Sequence, residues 1–158
     1  MRLPTGPAVT FLFTDIEGST RLERAVGSGA WAALVARHDR LVRAAIEGSG
    51  GVVVKSEGDA FFAAFGAPPD AVRAAVLAQR ALATEPWADA PIRVRMGLHV
   101  GEGRLRDRIA ETDPEDYVGI DVNYAARLAA TGNGGQVVLS DPLAAAVRPA
   151  LDADDGFA

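Results

Sequence analysis

Hydrophobic patterning changes period along this chain in the order β-α-β-β-α-β, then α-β-α, and that order leaves few folds open. Residues 8–14, AVTFLFT, form a short apolar run of β-branched and aromatic side chains, as in a buried strand. The run breaks at Asp15-Ile16-Glu17-Gly18-Ser19-Thr20, where a helix is expected to begin. Trp31, Leu34, Val35, His38, Leu41, Val42 and Ala45 then recur with the spacing of one apolar helix face, and Ser49-Gly50-Gly51 ends it. GVVVKS (51–56) and AFFAAF (60–65) read as a hairpin closed by the tight-turn signal Glu57-Gly58-Asp59. Pro68-Pro69-Asp70 opens a helix over 69–85, with proline where its missing N–H does no harm. Residues 92–100, IRVRMGLHV, read as a half-buried strand, and the charged, patternless stretch 102–116 as a surface loop or arm. A helix is expected over 119–131 with Val122, Ala125, Ala126 and Ala129 inward. Gly132-Asn133-Gly134-Gly135 stops it, Gln136–Ser140 is a strand, and Asp141 is expected to cap a last short helix. The first six elements are those of a ferredoxin-like split βαβ unit, so the expected class is α+β.

Composition narrows function. The 158 residues suit one domain, and a chain of this size buries roughly 68–70% of its unfolded surface. A net charge of −5 and a pI near 5.0 argue against a nucleic-acid partner, which would need a basic stripe, but allow a local patch for a small polyanion. The absence of cysteine excludes disulfides, thiolate nucleophiles, zinc ribbons and iron–sulfur centres. Two histidines, His38 and His99, argue against histidine-ligated metal. His38 reads as a core or interface residue; His99, near a strand end, is given no role. No apolar run reaches membrane-span length, and the first ten residues lack signal-peptide regions, so a cytoplasmic location is the default expectation. Fifteen of the sixteen basic residues are arginine, and the exception is Lys55. A GC-rich genome explains the arginines but leaves open whether position 55 requires an ammonium.

Two carboxylates stand where chemistry would use them. Asp15 ends the first strand and Asp59 lies in the hairpin turn, elements that a ferredoxin-like sheet places side by side. Paired carboxylates at one strand end suit hard cations such as Mg²⁺, which take one or two of them together with phosphate oxygens. The plainer alternative is that Asp15 caps a helix and Asp59 serves the turn. Ile16–Thr20 is a glycine-containing strand-to-helix junction whose amides favour phosphate, although the chain has no Walker A motif. Asn123 and Arg127 share a helix face, either as an amide–guanidinium pair for a ribose and a phosphoryl oxygen or as solvated surface.

Four segments together resemble the catalytic domain of class III adenylate and guanylate cyclases: FTDIEGSTRL (13–22), VKSEGDAFFAAF (54–65), RMGLHVGEG (95–103) and DYVGIDVNYAARLAATGNGGQVVLS (116–140). The similarity runs from about residue 8 to 148 in order and spacing, and is nearest to bacterial cyclase domains fused to larger signalling or regulator proteins. It implies the ferredoxin-like core extended by αβα. It also implies that Asp15, Asp59 and the Ile16 carbonyl hold two Mg²⁺ or Mn²⁺ ions per site, and that the turn Glu17, Gly18, Ser19, Thr20 receives phosphate. Lys55 and Asp116 match the adenine readers, Asn123 and Arg127 the pair that orients the ribose and stabilises the transition state. The resemblance thus implies an adenylate cyclase making cyclic AMP and pyrophosphate from ATP. It further implies a site shared across a head-to-tail homodimer, with the aspartates from one copy and Lys55, Asp116, Asn123 and Arg127 from the other. Guanylate cyclase, or a non-catalytic nucleotide-sensing or dimerisation module, are the alternatives.

The family's last β-hairpin, which carries a basic residue for the triphosphate, has no counterpart before the tail Leu151–Ala158 ends. The expectation is one cyclase domain, 1–158, as the N-terminal piece of a longer protein with fused C-terminal domains. Arg104, Arg106 and Arg108 in the arm read as a solvated charge run, or as residues touching a second copy.

Overall fold

The computed structural model describes residues 2–153. Its elements are β1 (Gly6–Ile16), α1 (Ser19–Val26), α2 (Ser28–Gly48), β2 (Val52–Glu57), β3 (Ala60–Phe65), α3 (Pro68–Thr84), β4 (Val94–Leu105), β5 (Tyr117–Val118), α4 (Ile120–Ala130), β6 (Val137–Leu139) and α5 (Asp141–Asp152). The sheet runs β2-β3-β1-β4-β5, with β6 also on β4. The β1–β3, β1–β4 and β2–β3 pairs are antiparallel and β4–β6 is parallel. The first four strands therefore take the ferredoxin-like order, and the αβα extension follows as expected.

Period-2 alternation divides the sheet into two faces. Leu12, Ile16, Phe61, Ala63, Phe65, Val94, Met96 and Leu98 join the main core with α2, α3 and α5. Val9, Phe11, Phe62, Ala64 and Tyr117 point the other way and pack with Ala125 of α4. Phe13 stacks on Phe62 at 4.3 Å, and Tyr117 meets Phe11 edge-on at 5.0 Å. Asp15 falls in the Phe11–Phe13 phase of β1, so alternation aims it at this second, more open face.

Three local readings are corrected. Gly27 (φ +87°) divides the first helical stretch into α1 and α2, because its backbone turns where a side chain would be strained. β4 continues to Leu105, where β5 pairs with it, so the arm is shorter than 102–116. Ser140, not Asp141, caps α5: its extended backbone lets its Oγ accept the Leu143 amide, while Asp141 is the first helical residue. Of the tail Leu151–Ala158, residues 154–158 lie outside the described residues. Among the described residues, no helix is long and apolar enough to cross a membrane.

His38 is fully buried on the core face of α2, as its spacing implied. Its Nδ1 donates to Asp39 Oδ1 at 2.8 Å, and Nε2 has no hydrogen-bond partner. Burial lowers its pKa, opposed by the Asp39 hydrogen bond and charge. The unfolded chain therefore binds a proton near pH 6.5 that the folded chain resists. Stability is full above that value and falls as the pH drops below it. The thermal midpoint should decline from pH 7 to pH 5, and His38→Phe should flatten that slope.

Candidate active site

The antiparallel pairing of β1 with β3 brings the end of β1 against the hairpin turn. Asp59 Oδ2 accepts the Ile16 backbone N–H at 2.9 Å, which fixes one carboxylate beside the residue following Asp15. Both aspartates line one open cleft of about 650 Å³ with Ile16, Gly18, Ser19, Thr20, Arg21, Arg24 and Arg95. Gly18 (φ +66°) turns the chain from β1 into α1, and no side chain caps that helix. Its first amides are therefore left for a ligand or solvent. Glu17 is engaged elsewhere: its N–H donates to Arg93 O at 2.8 Å, and its Oε2 accepts the Gly134 N–H at 2.7 Å. The open amides of the junction are those from Gly18 onward.

Among the cleft residues that sequence reasoning missed, together with Arg21 and Arg24, is Arg95. It stands opposite Asp15 in the β1–β4 register, and its Nε and Nη2 donate to Asp15 Oδ1 and Oδ2, both at 2.7 Å. The Asp15 hydrogen bonds hold the Arg95 guanidinium proton more tightly than usual. The only sequence signal was the β1–β4 pairing register, which a single chain does not reveal.

Carboxylates and a backbone carbonyl are hard oxygen donors that fit Mg²⁺ or Mn²⁺. Among the described residues no group of three or more His, Cys, Asp or Glu side chains converges as a metal cage. Two aspartates beside the uncapped start of α1 instead suit an ion that completes its shell from a ligand and water.

A second cluster lies away from the cleft. Lys55 Nζ is 2.9 Å from Asp116 Oδ2, although sixty-one positions separate them in sequence. A bulge makes this meeting possible. Val53 pairs with Ala63 but Lys55 pairs with Phe62, so β2 advances two residues against one of β3. Strict alternation would put Lys55 with Val53 on the core face; the bulge turns it to the open face, 5.9 Å from the Phe62 ring centroid. Asp116 is held by its neighbour Tyr117, whose ring is buried against Phe11 and Phe62 and whose hydroxyl donates to Pro4 O at 2.6 Å. Burial, and secondarily the Glu115 charge, push the Tyr117 pKa up.

Asn123 and Arg127 are exposed on α4. This helix lies close on β4 because Gly97 has no side chain: a methyl group there would sit 2.7 Å from Ala129 Cα. Gly97→Ala should lower unfolding free energy by about 1–3 kcal/mol in a urea titration, because the helix has to lift. Each copy thus carries a cleft lined by two aspartates, three arginines and the start of α1 and, apart from it, a lysine–aspartate pair and the α4 face.

The profile of the adenylate and guanylate cyclase catalytic domain matches residues 2–154. An uncharacterized Mycobacterium tuberculosis protein is 41% identical over 97% of this chain, which spans about half of its length (50%). An adenylate cyclase of Podospora anserina is 30% identical over 94% of the chain, which covers 8% of that protein. A Trypanosoma brucei adenylate cyclase structure superposes with a TM-score of 0.82 at 30% identity, covering 98% of this chain and 80% of the other. The sheet order, the helix over its open face and the sequence match agree, and the chain belongs to the adenylate and guanylate cyclase catalytic domain family.

Proposed function

We propose that this domain is an adenylate cyclase, converting ATP into 3′,5′-cyclic AMP and pyrophosphate in a head-to-tail pair of copies with two shared sites. The observation that carries the choice of ATP is the Lys55–Asp116 pair. Adenine presents an acceptor at N1 and a donor at N6, which an ammonium donor and a carboxylate acceptor complement. Guanine presents the reverse pattern, and leaving buried polar groups unpaired is what makes such rejection strong. Its likeness to the fungal and trypanosomal adenylate cyclases supports the same choice.

The family resemblance, with the placement of these residues, supports the following roles. Asp15, Asp59 and the Ile16 carbonyl would hold the two divalent ions, Mg²⁺ or Mn²⁺, which would supply acidification of the ribose 3′-hydroxyl and charge neutralisation of the triphosphate. Arg95 donates one hydrogen bond to each Asp15 oxygen and so orients that carboxylate, whose remaining lone pairs would face an ion. Gly18, Ser19 and Thr20 offer backbone N–H groups to phosphate oxygens at the start of α1. From the second copy, Lys55 and Asp116 orient the base, Asn123 the ribose, and Arg127 stabilises charge on the α-phosphoryl group. The 3′-oxygen attacks the α-phosphorus, its proton leaves to solvent, and the bond to the bridging oxygen of pyrophosphate breaks.

The separation of the two clusters within one copy supports this division. Incubation with Mg²⁺- or Mn²⁺-ATP should yield cyclic AMP and pyrophosphate in equal amounts. Cyclic GMP formed faster from GTP would make the domain a guanylate cyclase. ATP bound without turnover would make it a nucleotide-sensing module.

A further inference from the structure

Ser140, His99 and Asp121 stand in hydrogen-bond series, away from the aspartate cleft. His99 Nδ1 is 2.8 Å from Ser140 Oγ, and its Nε2 is 2.8 Å from Asp121 Oδ1. This is the order of groups in a hydrolytic triad, but burial excludes that chemistry. Ser140 is 2% exposed, and its Oγ is occupied as the cap of α5, accepting the Leu143 N–H.

The donors and acceptors determine what the series does instead. Asp121 Oδ2 accepts the Glu102 N–H at 2.9 Å, so both carboxylate oxygens receive hydrogen bonds and the group is held ionised. A carboxylate accepts only, so the proton facing it sits on His99 Nε2. In the neutral ring Nδ1 is then an acceptor, and the Ser140 hydroxyl donates to it while receiving the Leu143 amide. Every polar group of the three side chains is then satisfied.

The series spans three elements: His99 is on β4, Asp121 in the first turn of α4, and Ser140 at the start of α5. Sterics reinforce it. Gly97 and Gly101 flank His99 on the same strand face, and a methyl group on Gly101 would sit 2.5 Å from Asp121 Cβ. The His99 ring also lies 4.6 Å from that of Tyr124, one turn further along α4. His99 thus fills the gap between two glycines and meets the helix at two successive turns.

We propose that His99 is a positioning residue: through its Nε2–H, braced by Ser140, it clamps Asp121 and sets where α4 presents Asn123 and Arg127. The clamp stands on the contacts above; its catalytic consequence rests on the cyclase reading.

The test compares two short amides at position 99 in the full-length protein. Glutamine reaches the Nε2 position and keeps a donor to Asp121; asparagine reaches only toward Ser140. His99→Gln should keep kcat within about threefold, while His99→Asn should lose about 100-fold in kcat with the ATP KM nearly unchanged, as for a misplaced catalytic group. Amide hydrogen exchange along α4 should accelerate in His99→Asn and not in His99→Gln. In the unmutated protein, ring nitrogen NMR should show the proton on Nε2. Equal behaviour of the two variants in exchange, or a proton on Nδ1, overturns the proposal. If exchange and tautomer behave as stated and no cyclic nucleotide forms, the cyclase reading fails and the clamp stands.

Discussion

Asp59→Asn should abolish cyclic AMP formation, lowering turnover by at least about 1000-fold, and leave the fold intact. The reason lies in the two jobs of this side chain. One oxygen accepts the Ile16 N–H, and the charge makes the group a ligand for a divalent ion. Asparagine keeps an acceptor for Ile16 and removes the charge, so its unfolding midpoint should match that of the parent. Asp59→Ala removes both. Ile16 is buried, so its unpartnered amide should cost about 1–3 kcal/mol in addition to the loss of activity. Activity assays and urea titrations on the two variants separate the roles. An Asp59→Asn protein that turned over normally would remove this residue from the chemistry.

Lys55→Glu should produce the largest change in substrate choice. It replaces the donor by an acceptor and sets a second carboxylate against Asp116, where the ammonium now stands 2.9 Å away. Adenine N1 then meets an acceptor, and the paired carboxylates repel unless one takes a proton. The ATP kcat/KM should fall by at least about 100-fold, and the preference for ATP over GTP should disappear. The lone lysine among fifteen arginines then has a physical reason, since a planar guanidinium would present a fork of donors in place of one point charge. An unchanged ATP/GTP ratio in Lys55→Glu would return Lys55 to an accident of composition.

What the sequence conveyed, and what it hid, follows from how far each signal reaches. The hairpin turn, the apolar run ending at Asp15 and the helical face through His38 are local patterns, and each appears where the spacing put it. Convergence of Asp15 and Asp59 needed only the strand order of a ferredoxin-like sheet. The Lys55–Asp116 meeting came from family resemblance, because the residues alone mislead. Period-2 alternation sends Lys55 to the core face, and the bulge that corrects it leaves no mark on composition. The Asp15–Arg95 pair and the Ser140–His99–Asp121 series depend on register and on a helix seated over glycines, which only three-dimensional pairing reveals. Ser140 and Asp141 are both good capping residues, and local backbone conformation rather than residue type decided between them.

The central claim is that one nucleotide is processed between two copies, the metal-binding half from one and the base- and phosphate-stabilising half from the other. Mixing two inactive variants tests it most directly. Asp59→Asn disables the first half, and Arg127→Ala the second. If copies exchange freely, half of the pairs in an equal mixture combine one of each. Each such pair carries one site with both halves intact, so the mixture should recover about 25% of the parent rate. A mixture that forms mixed pairs and stays as inactive as its components would contradict the account.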